Sequence, residues 1–132
     1  QASSNENILI NCSRTIFPME KDAMRWANYI GNRCFAILLS MIINNPISDS
    51  LCGTKVFSRK FFNFMKDNGS WESKSDPFGD FTIIFEAAKN DIKILNYPVR
   101  YYARKSGAPN ISRWIDGLKL LKVCWIYLIA DI

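Results

Sequence analysis

The chain contains no histidine, so a Ser-His-Asp or Cys-His nucleophile and any His-containing zinc site are ruled out, and proton transfer falls to carboxylates. Cys12, Cys34, Cys52 and Cys124 include no close pair. That spacing gives neither a zinc site nor a redox motif, and reduced thiols in a cytosolic setting are expected. The longest uncharged apolar stretch in the first helical region, Cys34 to Ile43, falls far short of the roughly 20 residues a membrane-spanning helix needs. Gln1 to Asn7 lacks the charged start and apolar stretch of a signal peptide, and both chain ends read as cuts through a longer protein. There is no Asp-x-Asp, no internal repeat and no low-complexity segment.

What is present suffices for one compact domain: 132 residues of which 48% are hydrophobic, a size at which roughly two-thirds of the unfolded surface is buried. The charge is unevenly spread. Residues 1–92 carry 10 basic and 10 acidic side chains, whereas residues 93–132 carry 7 basic and 2 acidic, so the net +5 sits in the C-terminal part. Such a bias suits an anionic partner, the phosphate of a lipid, a nucleotide or a nucleic acid; a solvated basic face has the same composition.

Ile8 to Cys12 reads as a buried strand ending in a polar loop at Ser13-Arg14, punctuated by Pro18. From Glu20 to Ile43, residues Met24, Ala27, Ile30, Cys34, Ile37, Leu38, Met41 and Ile42 keep the spacing of one helical face, which Asn44-Asn45-Pro46 stops. Its last turns are apolar nearly all round, so deep burial is expected. Cys52 to Phe57 suits a strand, Arg59 to Asp67 a short helix, Asn68 to Pro77 a loop, Phe81 to Asn90 a helix, and Ile92 to Tyr102 a strand with Pro98 at an edge or bend. Ile111 to Ile129 reads as an amphipathic helix through Trp114, Ile115, Leu118, Leu121, Trp125 and Leu128, flanked by Lys119 and Lys122. It suits an interfacial helix on a membrane as well as a terminal helix packed on the sheet. Strands interleaved with helices make the fold class α/β.

Three segments carry candidate chemistry. In Phe78-Gly79-Asp80-Phe81 a carboxylate stands between aromatic rings at the start of a helix, where partial desolvation would raise its pKa toward that of a useful general base. An Asp at that position also serves as a helix cap. In Asp49-Ser50-Leu51-Cys52-Gly53-Thr54-Lys55, Gly53 permits close backbone approach and Asp49 can hold a loop or a hydroxyl, although a turn entering a strand has the same composition. In the third, Arg100, Arg104, Lys105 and Arg113 surround Gly107 and Pro109, and Asn110 or Ser112 can cap the helix that follows. This arrangement fits a phosphate site or a plain basic loop.

Together these segments resemble the inverting glycosyltransferases of family two, and most closely the C-terminal half of the catalytic domain in members akin to polyprenyl-phosphate sugar synthases. The match runs from about Ile8 to the end of the final helix and includes Arg14, Pro18-Met19-Glu20-Lys21 and Ala23-Met24-Arg25. The resemblance implies a partial GT-A (Rossmann-like) mixed sheet flanked by helices, residues 1–132 forming the acceptor side and the nucleotide-binding part lying outside this chain. It implies Asp80 as the catalytic base, Asp49, Cys52, Gly53 and Lys55 at the acceptor or sugar, with Cys52 a packing residue, and Arg104, Gly107, Asn110, Ser112 and Arg113 at phosphate. Implied too are a nucleotide-sugar donor, a lipid-phosphate or saccharide acceptor, peripheral membrane association on the cytoplasmic side, and Mg2+ or Mn2+ held by an Asp-x-Asp that this chain lacks. Ala108-Pro109 departs from the acidic and small residues usual in that loop. A basic module for nucleic acid, stacking bases on Tyr101, Tyr102 and Trp114, is a reading from another class. A non-catalytic remnant that packs on a partner is a third.

Overall fold

A computed structural model describes residues 8–21, 23–72, 76–103, 105 and 113–130, with Arg113 as backbone only. The described residues form a small mixed sheet and four α-helices in the order β1 (Ile8–Ser13), α1 (Trp26–Ile43), β2 (Lys55–Val56), α2 (Arg59–Asp67), a 3-10 turn at Ser70–Glu72, α3 (Asp80–Lys89), β3 (Lys93–Pro98) and α4 (Arg113–Ala130). The sheet order is β2-β1-β3. β1 and β3 run parallel from Ile8↔Lys93 to Ser13↔Pro98, while β2 adds two antiparallel pairs, Ile10↔Val56 and Asn11↔Lys55.

Strand alternation divides this sheet into two unlike faces. Leu9 and Ile94 point into a core shared with Ala36 and Leu39 of α1, Phe81, Ile84, Phe85 and Ala87 of α3, and Leu120, Val123 and Cys124 of α4. Phe35 meets Phe81 edge-on with centroids 5.4 Å apart, and Phe85 stacks on Tyr127 at 4.3 Å. On the other face Val56, Leu95 and Tyr97 are exposed. Parallel strands normally have both faces covered, and here the described residues leave this second face largely open except around the buried Cys12.

The helix ends follow local chemistry. Asn44 takes the left-handed conformation (φ 52°) and returns its N–H to the Ser40 carbonyl, ending α1 ahead of Pro46. Ser58 accepts from the Phe61 N–H and starts α2. At the head of α3, Gly79 has φ 77°, a conformation that side-chain-bearing residues rarely adopt.

Two expectations need correction. The first helix starts at Trp26, not Glu20, because Glu20 is used elsewhere: its N–H donates to the Tyr101 carbonyl and its Oε2 accepts from the Ala103 N–H. The face expected to be buried is also largely the wrong one, since Ile30, Cys34, Ile37 and Met41 are exposed and α1 buries the stripe Asn32, Ala36 and Leu39. A polar residue on the core stripe holds this rotation: Asn32 is hydrogen-bonded to Asp49 and Ser50. The second strand is shorter than Cys52 to Phe57, and α2, α3, β3 and α4 lie within a few residues of their expected spans.

This rotation sets an expected stability difference. Leu39→Ala should lose about 2–5 kcal/mol in urea unfolding, whereas Ile37→Ala on the exposed stripe should change stability by less than about 0.5 kcal/mol. Equal losses would contradict the orientation of α1.

Candidate functional site

The site grows from the C-terminal ends of the parallel pair, where α/β sheets place their ligand crevices. β1 ends at Ser13 and delivers Arg14, whose main-chain N and side-chain Nε donate to Asp49 Oδ2 at 2.9 and 2.8 Å, and whose Nη2 donates to Oδ1 at 3.0 Å. Asn32 Nδ2 and the Leu51 N–H reach Oδ1 as well, at 2.8 and 3.2 Å. Asn32 Oδ1 in turn accepts from the Ser50 N–H at 2.8 Å, and the Asp49 carbonyl accepts from Asn11 Nδ2 at 3.0 Å. The Arg14 guanidinium also lies over the Tyr101 ring, 5.0 Å from its centroid. Thus one carboxylate fastens the loops after β1 and α1 together.

Its electrostatics follow from this. Burial alone would raise the Asp49 pKa, but the hydrogen bonds and charge of Arg14, helped by Asn32, outweigh it and hold the carboxyl below the ordinary aspartate value. Burial would lower the Arg14 pKa, and Asp49 reverses that too. Every Asp49 side-chain contact named here runs to a protein donor.

Asp80 has a different environment. It is the first residue of α3, and its Oδ1 accepts from Lys55 Nζ at 3.0 Å; the Lys55 side chain is 2% exposed and that of Asp80 9%. Lys55 Nζ donates a second bond to the Cys52 carbonyl. Burial pushes the Asp80 carboxyl above its ordinary value, Lys55 only partly offsets this, and the nearby Asp76 carboxylate adds to the rise. Of the two rings expected to wall it, Phe81 is fully committed to the core, whereas Phe78 is partly exposed. Desolvation by the whole surround therefore replaces the imagined aromatic wall.

Sequence reasoning missed Asp76. Its Oδ1 accepts from the Phe78 N–H at 3.1 Å, and its Oδ2 accepts from the Thr82 N–H and Oγ1 at 2.8 and 3.0 Å. Asp76 thereby satisfies the head of α3 and leaves Asp80 free of that duty; the Asp76-Pro77 dipeptide, a turn initiator, was the available signal. Asn32 was hidden as a lone amide within an apolar helix. A cavity of about 270 Å³ lies alongside, lined by residues that include Trp71, Asp76, Phe78 and Gly79.

The structure thus brings Asp49, Cys52, Lys55 and Asp80 into one neighbourhood. Cys52 is buried with a free thiol, and Gly53 is exposed with open space beside its Cα. Arg104, Gly107, Asn110 and Ser112 lie outside the described residues, as does the side chain of Arg113, which opens α4. The described residues do not fit Mg2+ or Mn2+: no group of three or more Cys, Asp or Glu side chains converges, and Asp49, Asp76 and Asp80 each face protein donors. No protein-family model, curated protein or solved structure matches the chain.

The lowered pKa of Asp49 gives a signed pH dependence. Its contribution to stability is present above the ordinary aspartate pKa and is lost as pH falls through the lower folded-state value. Asp49→Asn should therefore cost about 3–5 kcal/mol in urea unfolding at pH 7, as expected for breaking a buried pair. The gap to wild type should narrow in acid below about pH 4. A gap independent of pH would show that the carboxylate charge is not what Arg14 needs.

Proposed function

We propose that this chain is the acceptor-side part of an inverting glycosyltransferase of family two with a GT-A type fold, acting with a nucleotide-binding part outside it. The observation that carries this reading is the 3.0 Å contact between Lys55 and Asp80. It joins two segments, Cys52-Gly53-Thr54-Lys55 and Phe78-Gly79-Asp80-Phe81, on which the family resemblance rests and which are separated in sequence by the whole of α2. The largely open face of the β1–β3 pair supports a further layer of structure on that side.

In this reading the acceptor oxygen attacks the anomeric carbon of the donor sugar from the side opposite the nucleoside diphosphate. One C–O bond forms as the bond to the diphosphate breaks, and configuration inverts. Asp80 takes the proton of a hydroxyl acceptor; a phosphate acceptor arrives ionised, and Asp80 then positions it. A carboxyl whose pKa lies above the ordinary value is a better base than a solvent-exposed one. Asp49 acts at one remove, holding Arg14 and the loop that carries Cys52 and Gly53. Any divalent metal would be held by the other part of the enzyme.

The same reading takes the protein to a membrane surface. Beyond its core stripe, α4 carries a second apolar stripe, Trp114, Leu118, Leu121 and Trp125, at three- and four-residue spacing, with Lys119 and Lys122 exposed nearby. α1 adds Trp26, Ile30, Ile37 and Met41 opposite its own core stripe. Among the described residues no helix is long and apolar enough to cross a membrane, so this surface suits an interfacial position beside anionic lipid. The nucleic-acid reading has less support, because Tyr101 is occupied by Arg14.

Two measurements test the reading. In the full-length enzyme, Asp80→Asn should lower sugar transfer at least about a hundredfold while leaving nucleotide-sugar affinity nearly unchanged; unchanged turnover would remove Asp80 from base catalysis. In sedimentation with anionic vesicles, the double substitution Trp114→Ser and Trp125→Ser should weaken binding about tenfold or more, since burying a large apolar side chain is worth roughly 1.5–3 kcal/mol. Undiminished binding would place the lipid contact elsewhere.

A further inference from the structure

We infer that Lys55 is a positioning residue for Asp80: the ammonium group, anchored on the Cys52 carbonyl, fixes the orientation of the carboxylate and stands as the cation directly beside it. The inference deepens the proposed role of Asp80 as base and rests on that reading for its catalytic meaning.

The geometry is specific. Lys55 sits on a strand of two residues whose place is set by the pairs Ile10↔Val56 and Asn11↔Lys55 and by the Cys12 N–H donating to the Thr54 carbonyl at 3.2 Å. From there its four-carbon stem runs inward until only 2% of the side chain is exposed. A buried ammonium is costly unless it is paired and hydrogen-bonded, and Lys55 meets both needs through Asp80 Oδ1 and the Cys52 carbonyl. One bond fixes the nitrogen and the other fixes the carboxylate to it. Asp80 is thereby tied through Lys55 to the Cys52 carbonyl, next to which the space beside Gly53 is open.

The charged and titratable groups facing this pair come from every neighbouring element. Arg14, after β1, favours the ionised carboxylate; Asp76, ahead of α3, opposes it. The Cys12 thiol on β1 lies near Cys52 and Lys55. Lys55 is the largest influence keeping Asp80 ionised against burial and Asp76. An opposite charge at this distance typically moves a carboxyl by about 1–3 pH units, so without Lys55 the base would be protonated over a wider range. A salt bridge that served only to join β2 to α3 would also shift the Asp80 midpoint when broken, because stability and titration are linked, but it would leave the acid limb of kcat/KM where it was.

The test follows the Asp80 carboxyl carbon by NMR in protein labelled with 13C-aspartate, the signal being assigned by its loss in Asp80→Asn. In Lys55→Met the midpoint should rise by about 1–3 pH units, and in Lys55→Arg it should return toward wild type. The acid limb of kcat/KM should move with it. An unmoved midpoint in folded Lys55→Met would overturn the inference. Should Lys55→Met fail to fold, the Lys55 15Nζ signal of wild-type protein must titrate with the Asp80 midpoint, and a flat signal would overturn it equally. A midpoint that shifts while Asp80→Asn retains full activity separates the two claims: the coupling stands and the base reading falls.

Discussion

The fully buried carboxylate of Asp49 is the constraint on which the rest of the structure hangs. A charge removed from water must be compensated by nearly ideal partners, and Asp49 draws them from the loop after β1, from the middle of α1 and from its own turn. Meeting that demand determines which stripe of α1 faces inward, because Asn32 has to reach the carboxylate. It also draws Arg14 beneath Asp49 and against Tyr101, which links the exits of the two parallel strands. An apolar residue at position 49 would take the carboxylate acceptor from the partly buried Arg14 guanidinium and from the buried Asn32 Nδ2, so the cost would spread through all three elements.

Asp49 and Asp80 are therefore shifted in opposite directions by their surroundings. Asp49, saturated with donors, is driven toward permanent ionisation; Asp80, desolvated and held by one lysine beside another carboxylate, is driven the other way. Environments that push paired carboxylates apart are how one fold separates a structural or electrostatic role from an acid–base role. Asp76 completes the division by capping α3, a task the sequence position of Asp80 would otherwise suggest for Asp80 itself.

Much of the fold was legible. The apolar run at Ile8, the helix from Arg59 to Asp67 with Ser58 before it, and the Asn-Asn-Pro stop after Ile43 all write their structure into a few adjacent residues. The rotation of α1 was not legible, because its surface is apolar almost all round and the deciding contact is made by Asn32 to a residue seventeen positions later in the chain. The late start of α1 was hidden for a similar reason: Glu20 favours helix locally, but a bond across the molecule to Ala103 takes precedence. At the site, Asp80 was a candidate from its residue type and surroundings, while Asp49 and Lys55 entered with the Asp-x-x-Cys-Gly-Thr-Lys run through the family resemblance; the partnership of Arg14 with Asp49 and the capping by Asp76 depend on distances that no spacing rule encodes. The basic segment at 104–112, expected at phosphate, lies almost wholly outside the described residues.

The central claim is that Asp80 serves a single displacement at an anomeric carbon. Proton NMR of the glycosylated product, recorded on the full-length enzyme before any spontaneous anomerisation, tests it most directly. The expected result is a product whose anomeric configuration is opposite to that of the nucleotide-sugar donor; a product of retained configuration would contradict the account.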